Sequence, residues 1–356
     1  MKRIIIKVGT NVLTRPDGKL DVTNISQLVD QLVALKQAGK EIILVSSGAV
    51  GAGRGLLELS AASNEIVQRQ VLSAVGQVRL MELYRQLLGN HGLLGAQVLS
   101  TKEDFRDRRH FLHMRNCLEG LLREPSILPI ANENDVVSIT ELMFTDNDEL
   151  AGLIAAMLNA DGLIILSSVD GLLDGPPDHP DSQLIRTVTP DDTESAQAIA
   201  PVRSSFGRGG MLTKFHLAQK TARLGTHVYI ANGRRPGILA QLLAGTAAAT
   251  HFVASPRPSR VKTWIAHNAN APRATVWVNS GAQAALCDSA QANSLLPVGV
   301  IRIDGSFKKG DLVRLVDERG IPFGQGMAQY DSEKAERFLG EQGKKPLVHY
   351  DYLVIT

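Results

Sequence analysis

Between residues 1 and about 252 the chain alternates short, almost unbroken apolar runs with stretches of helical periodicity, and few folds accept that pattern. The runs are Arg3–Val8, Glu41–Ser46, Leu94–Leu99, Ser126–Ala131, Gly162–Ser167 and His227–Ala231. Their β-branched content and lack of polar alternation suit strands covered on both faces, as in a parallel sheet. Between the first two, Ile25, Leu28, Val29, Leu32 and Leu35 repeat at three- and four-residue spacing, with Asn24 able to cap the helix and Gly39 to end it. Further helices are expected over about 64–88, 108–122, 147–159 and 211–224. The predicted architecture is an α/β/α sandwich with a mostly parallel sheet, its ligands at the C-terminal ends of the strands.

After His251 the texture changes. A Pro/Ser/Arg stretch at 254–260 reads as part of a linker spanning 253–272. Short strands are then expected at Ala274–Val278, Val300–Asp304, Leu312–Val316 and Tyr352–Ile355, with turns at Asp304-Gly305 and Arg319-Gly320. That spacing predicts a small, mostly β domain over 273–356. A length of 356 residues agrees with two domains.

Bulk charge separates function classes only weakly. The formal net charge is +2, and residues 253–356 hold 13 Lys+Arg against 10 Asp+Glu, so neither a nucleic-acid nor a membrane surface is called for. Two cysteines, Cys117 and Cys287, give no metal spacing or disulfide framework and suit a reducing cytoplasm. The apolar run Ile4–Ile6 is too short for a signal peptide, and the longest membrane candidate, Leu150–Val169, is interrupted by Asn159 and Asp161.

Four segments carry chemistry. The first strand ends in Lys7-Val8-Gly9-Thr10, where a costly inner-strand lysine is either paired or facing a ligand and the glycine lets backbone N–H groups approach an anion. The second runs into Ser46-Ser47-Gly48-Ala49-Val50-Gly51, a Gly-rich turn into a helix, which is either an anion site or tight packing. Asn132, Glu133, Asn134 and Asp135 follow the fourth strand, and Asp146, Asn147 and Asp148 open a later helix. Such carboxylates and amides either cap and turn the chain or hold an ammonium, orient lysines or meet magnesium. Last, Gly207 to Lys214 is a glycine loop opening a helix, with Lys214 in its first turn. No base motif accompanies these groups, and His110, His113 and His216 are assigned no role. A carboxylate acceptor explains the missing base, because with a pKa of about 4.3 it is already ionised at neutral pH.

Together these segments, with Leu72-Ser-Ala-Val-Gly-Gln77, resemble the glutamate 5-kinases of the amino acid kinase family over roughly residues 1–252, and residues 274–352 look like a PUA domain, a small β-barrel fold. The resemblance implies transfer of the γ-phosphoryl group of ATP to the side-chain carboxylate of L-glutamate, the first step towards proline. It implies Lys7 and Lys214 on the transferring group, with Asp148 holding them. It places Ser47, Asp135 and Asn147 on glutamate, with Asn132 and Asp146 nearby. Gly9, Ser167, Ser168 and the stretch Arg208, Gly209, Gly210, Met211, Leu212, Thr213 and Lys214 would line the nucleotide. Mg²⁺ would be carried mainly by the ATP phosphates, with no protein ligand assigned. Feedback inhibition by proline, a glutamyl phosphate reductase as functional partner, and a homo-oligomer (dimer or tetramer) are implied in the same way.

The chain departs from that pattern on the nucleotide side. Ser167-Ser168 stands where a Thr-Asp or Ser-Asp pair is usual, Leu172-Leu173-Asp174 replaces Leu-Tyr-Thr/Ser, and Leu212 sits where a small or polar residue is common. Another acceptor on the same fold, such as acetylglutamate, aspartate or carbamate, is the nearest alternative. An RNA-binding sensor is the alternative from a different class, disfavoured by the small charge and the lack of an aromatic platform.

Overall fold

A computed structural model describes residues 1–57, 64–137, 147–175, 179, 181–192, 194–198, 210–256, 262, 265, 272–288 and 292–355. Contacts divide the chain into two units, residues 1–104 with 111–257, and residues 105–110 with 258–356.

The first unit is built on eight strands: β1 (Arg3–Val8), β2 (Glu41–Ser46), β3 (Leu94–Ser100), β4 (Ile127–Glu133), β5 (Gly162–Ser167), β6 (Thr187–Val188), β7 (His227–Asn232) and β8 (Ala249–Phe252). Their order across the sheet is β3-β4-β2-β1-β5-β7-β8-β6. Every pairing is parallel except β7 with β8. The helices are α1 (Thr10–Leu13), α2 (Val22–Gln37), α3 (Ala49–Arg54), α4 (Glu65–Gly89), α5 (Lys102–Arg106), α6 (Arg108–Arg123), α7 (Asn147–Leu158), α8 (Glu194–Ala198), α9 (Met211–Arg223) and α10 (Ile238–Ala244).

The two faces of β1 show how the sheet is covered. Ile4, Ile6 and Val8 join one apolar cluster with Ile25, Leu28 and Leu32 of α2, Leu80, Leu83 and Tyr84 of α4, and Ile238, Leu239 and Leu242 of α10. Side chains alternate along a strand, so Ile5 and Lys7 face the opposite side, where α7 packs against β1 and β5 and α9 packs against α7. From Leu150 to Leu158 α7 is buried on every side, which explains its unbroken apolar sequence there. Among the described residues no helix is long and apolar enough to cross a membrane.

The second unit contains β9 (Ala274–Val278), β10 (Val300–Asp304), β11 (Leu312–Val316), β12 (Pro322–Ala328) and β13 (Val348–Ile355), ordered β10-β9-β11-β12-β13. Only β9 and β11 run parallel. Val276, Val278, Leu295, Val313, Leu315, Phe323 and Leu353 lie in its core.

One expectation is corrected, and one strand is added. The helix after β1 starts at Val22, and its cap is Asp21, whose Oδ1 accepts from the Asn24 amide N–H at 3.1 Å. Asn24 lies inside the first turn and donates its side-chain amide to the Val12 carbonyl at 2.6 Å, tying α2 to α1. Strand β12, Pro322-Phe-Gly-Gln-Gly-Met-Ala328, is not among the expected strands. Its glycines are demanded by close approach: a Cβ at Gly326 would lie 2.3 Å from Val348 Cγ1, and one at Gly324 2.8 Å from the Val354 carbonyl.

Candidate active site

Parallel strands end on one side of the sheet, and register sets their ends level. Lys7 pairs with Val45 on β2 and Ile165 on β5, while Val45 pairs with Ala131 on β4. Ser46, Asn132 and Val8 are each one residue further along, so Lys7, the Ser46-Ser47 turn, the β4 end and Ser167 converge on one edge of the sheet. Helix α7 delivers Asn147 and Asp148 to that edge, and α9 delivers Lys214.

Its centre is a buried three-charge cluster. Asp148 is 3% exposed; its Oδ1 lies 2.6 Å from the Lys7 ammonium, and its Oδ2 accepts a hydrogen bond from Lys214. Burial alone would push the Asp148 carboxyl up, but the charges and hydrogen bonds of Lys7 and Lys214 outweigh it and hold the group lowered to about 2. Two ammonium groups are thereby fixed on one carboxylate at the strand ends. Helix α9 adds to that field: its N-cap, Gly210, provides no side chain to satisfy the first-turn N–H groups of Met211, Leu212 and Thr213. Helix α3 likewise opens without a side-chain cap, on Gly48 at φ +98°, a conformation that excludes most side chains.

One residue before Asp148, the chemistry becomes neutral and amide-rich. Asn147 Nδ2 donates to Ser47 Oγ at 3.0 Å, to Asn132 Oδ1 at 3.0 Å and to the Ser46 carbonyl at 3.2 Å. Asn132 Nδ2 in turn donates to Gln77 Oε1 at 2.9 Å, and its Oδ1 also accepts from the Glu133 amide N–H. Beyond lies a second charged group. Asp135 Oδ1 accepts from Arg69 Nε at 3.0 Å and Nη2 at 2.6 Å, its Oδ2 accepts from Ser73 Oγ at 3.0 Å, and Glu133 lies 3.6 Å from the same guanidinium. Here one cation meets two carboxylates. The strand ends thus form a lysine half around Lys7, Lys214 and Asp148, an amide chain in the middle, and a carboxylate-bearing half at the end of β4.

The predicted residues fall into three sets. Lys7, Lys214 and Asp148 meet directly, and Ser47, Asn132 and Asn147 form one hydrogen-bonded chain, with Asp135 beside it on Arg69 and Ser73. On the nucleotide side, Gly9 donates its N–H to the Leu166 carbonyl at 3.0 Å, next to Ser167, while Ser168, Leu212 and Thr213 are exposed. Asp146, Arg208 and Gly209 lie outside the described residues. Among the described residues no cluster of His, Cys, Asp and Glu suits a metal ion.

Sequence reading overlooked the contribution of α4. Arg69, Ser73 and Gln77, spaced four residues apart, form one polar stripe directed at the end of β4. That spacing is the available signal, a polar row on a helix whose Leu72–Gln77 segment carries part of the resemblance but no assigned role. Tyr84, further along, meets Ser46 Oγ at 2.9 Å, and burial pushes its hydroxyl up to about 12. Near the unusual Ser167-Ser168 pair, Asp170 is bound by Arg235, Nε to Oδ1 at 2.6 Å. The hydrogen bond from Arg235 leads in holding its carboxyl below the ordinary value.

Residues 2–232 match the amino acid kinase family and residues 274–350 match the PUA domain. A curated protein named glutamate 5-kinase from Chlorobaculum tepidum is 49% identical over 356 residues, covering 100% of this chain and 98% of its own length. Another of the same name, from Bacteroides thetaiotaomicron, is 48% identical, with 99% and 98% covered. Among solved structures, carbamate kinase from Giardia lamblia bound to AMP-PNP shares the fold at TM-score 0.51 and 18% identity, covering 71% of this chain and 99% of that one.

Proposed function

This chain belongs to the amino acid kinase family, and on that premise we propose that it transfers the γ-phosphoryl group of ATP to the side-chain carboxylate of L-glutamate, giving L-glutamyl 5-phosphate and ADP. The observation that carries this reading is the adjacency of Asp148 and Asn147 at the start of α7. One holds two lysines for a phosphoryl group, and the other reaches an amide and carboxylate cluster suited to an amino acid.

The reaction needs little covalent help from the protein. A carboxylate oxygen of glutamate attacks the γ-phosphorus in line, the bond to the β–γ bridging oxygen breaks, and its electrons leave with ADP. The acceptor is already ionised, so no base removes a proton. Lys7 and Lys214 face the oxygens on which charge spreads, and the uncapped start of α9 adds N–H donors. Mg²⁺, held by the ATP phosphates, would supply further charge neutralisation. Ser47, Asn132 and Asn147 orient the acceptor, and Asp135, held by Arg69 and Ser73, takes its ammonium group. Asp146 completes that side, and Gly9, Ser167, Ser168 and the stretch from Arg208 to Lys214 line the nucleotide.

The product is a labile acyl phosphate, which calls for prompt consumption by a glutamyl phosphate reductase. Feedback by proline, assembly as a homo-oligomer and a cytoplasmic location belong to the same reading. So does a division into a kinase domain over 1–252, a linker over 253–272 and a PUA-type domain over 273–356.

Hydroxylamine trapping tests the function. With Mg-ATP and a panel of glutamate, acetylglutamate and aspartate, glutamate alone gives abundant hydroxamate, and Lys7→Ala and Lys214→Ala abolish it. Hydroxamate from another acceptor moves the substrate. None from any acceptor, in folded protein that binds ATP, removes acyl-phosphate chemistry.

A further inference from the structure

Gln77 is buried at 9% exposure in the middle of α4. Its Oε1 accepts from Asn132 Nδ2 at 2.9 Å, whereas its Nε2 is buried with no hydrogen-bond partner among the described residues. An unsatisfied buried amide costs on the order of 1–3 kcal/mol. The fold therefore keeps Gln77 at a net local cost.

Backbone groups fix the polarity of the chain it belongs to. The Glu133 N–H can only donate, so the atom of Asn132 that meets it is Oδ1, and Nδ2 turns to Gln77. The Ser46 carbonyl can only accept, so Asn147 presents Nδ2 to it, to Ser47 and to Asn132. Asn147 Oδ1 is left as a buried acceptor without a partner among the described residues. In this arrangement the Gln77 oxygen is the acceptor that Asn132 Nδ2 requires. Without it, Asn132 loses one of the contacts that hold its ring of partners in place.

The backbone beneath Gln77 has almost no freedom. At the preceding residue, Gly76, a Cβ would lie 1.8 Å from the Ala49 carbonyl, and at Gly53 on α3 one would lie 2.1 Å from the Leu72 carbonyl. Helix α4 is thus pressed onto α3, the helix that opens after the Ser46-Ser47 turn. The position of Gln77 Oε1 is set relative to the same turn that Asn147 grips.

We propose that Gln77 is a positioning residue for the acceptor substrate: anchored by the glycine-tight contact of α4 with α3, its carboxamide oxygen holds Asn132, and through Asn132 it holds Asn147 against Ser47. The proposal rests on the kinase reading for its kinetic consequence but not for its structural one.

Two variants and two measurements test it. Gln77→Met keeps side-chain length and removes the acceptor, and Gln77→Glu keeps a carbonyl-type acceptor towards Asn132. In Q77M the KM for the acceptor rises about tenfold, the scale of one lost hydrogen bond in a buried network. Its kcat and its KM for ATP stay within about twofold, and Q77E returns the acceptor KM towards the wild-type value. Side-chain amide NMR of Asn132 and Asn147 needs no substrate. In Q77M the Asn132 Nδ2 protons exchange with solvent faster, and the Asn147 signals shift. Unchanged amide signals in Q77M overturn the proposal whatever the substrate is. So does an acceptor KM within twofold of wild type, or a parallel rise of both KM values with a falling Tm, which marks a merely structural residue. Loss of glutamate phosphorylation in the wild type itself refutes the function and leaves the NMR result to decide the role of Gln77.

Discussion

Replacing Asp148 with Asn is the sharpest perturbation the site offers, because it changes charge and almost nothing else. The carboxylate is 3% exposed, and the Lys7 and Lys214 side chains that meet it are 3% and 12% exposed. In Asp148→Asn two buried ammonium groups face a neutral amide, repel one another and keep their desolvation cost. Removing one partner of a buried ion pair costs about 3–5 kcal/mol. Set against a typical stability of about 5–15 kcal/mol, that is a large fraction. At roughly 2–4 °C per kcal/mol for a unit of this size, the Tm falls by about 6–20 °C. Both lysines are still present, so ATP still binds, and its phosphates supply the missing counter-charge. Millimolar ATP should therefore narrow the Tm gap between variant and wild type. Turnover should fall by at least about a hundredfold, the scale of losing one preorganised electrostatic contact. Thermal melts with and without ATP, together with hydroxamate formation, read all three effects. A Tm within about 2 °C of wild type with turnover preserved would refute the reasoning, since the lysines would then not depend on Asp148.

The pH dependence of the same group has a definite sign. The Asp148 carboxyl is lowered from 3.8 to about 2 in the folded chain, so its contribution to stability is present above pH 4 and lost as pH falls towards 2; the stability gap between wild type and D148N should be full above pH 4 and narrow as pH falls through that window. Gly76→Ala forces a Cβ to within 1.8 Å of the Ala49 carbonyl and should destabilise by about 3 kcal/mol or more, whereas Gly89→Ala, in the same helix with open space around it, should be neutral or stabilising by up to about 1 kcal/mol; chemical denaturation compares them. Arg69→Met leaves Asp135 and Glu133 without their shared guanidinium and should raise the acceptor KM more than Ser73→Ala, which removes one neutral donor; equal effects would show that charge is not what Arg69 contributes.

Much of the first unit was legible because its strands are doubly covered. Arg3–Val8, Glu41–Ser46 and Gly162–Ser167 agree residue for residue with the observed strands, since continuous β-branched runs of six residues have few other uses. The Lys7, Asp148 and Lys214 cluster could be suspected from a lysine at an inner strand end and a second at a helix start. What escaped was what depends on three-dimensional neighbours rather than local pattern. Strand β8 has only four residues and pairs antiparallel to β7, so neither length nor topology announced it. Strand β12 is disguised by glycines that exist to admit Val348 and the Val354 carbonyl. Asn favours caps, which makes Asn24 the expected α2 cap, but Asp21 caps the helix four residues before Ile25, the first apolar position of the repeat expected for it. The stripe of Arg69, Ser73 and Gln77 gains meaning only when β4 is seen beside it.

The start of α7 has a consequence for how such a protein can change. Consecutive helical residues point about 100° apart, so Asn147 and Asp148 serve opposite halves of the site from one rigid stem. From Leu150 onward that stem is buried on every side, which leaves its first turn little room to shift for one substrate alone. A displacement of its first turn disturbs phosphoryl donor and acceptor together, so variants in α7 should behave as on–off lesions. Helix α4 and the end of β4 touch only the acceptor half. Drift in acceptor choice, natural or engineered, should accumulate there, around Arg69, Ser73 and Gln77, while the lysine half stays as it is.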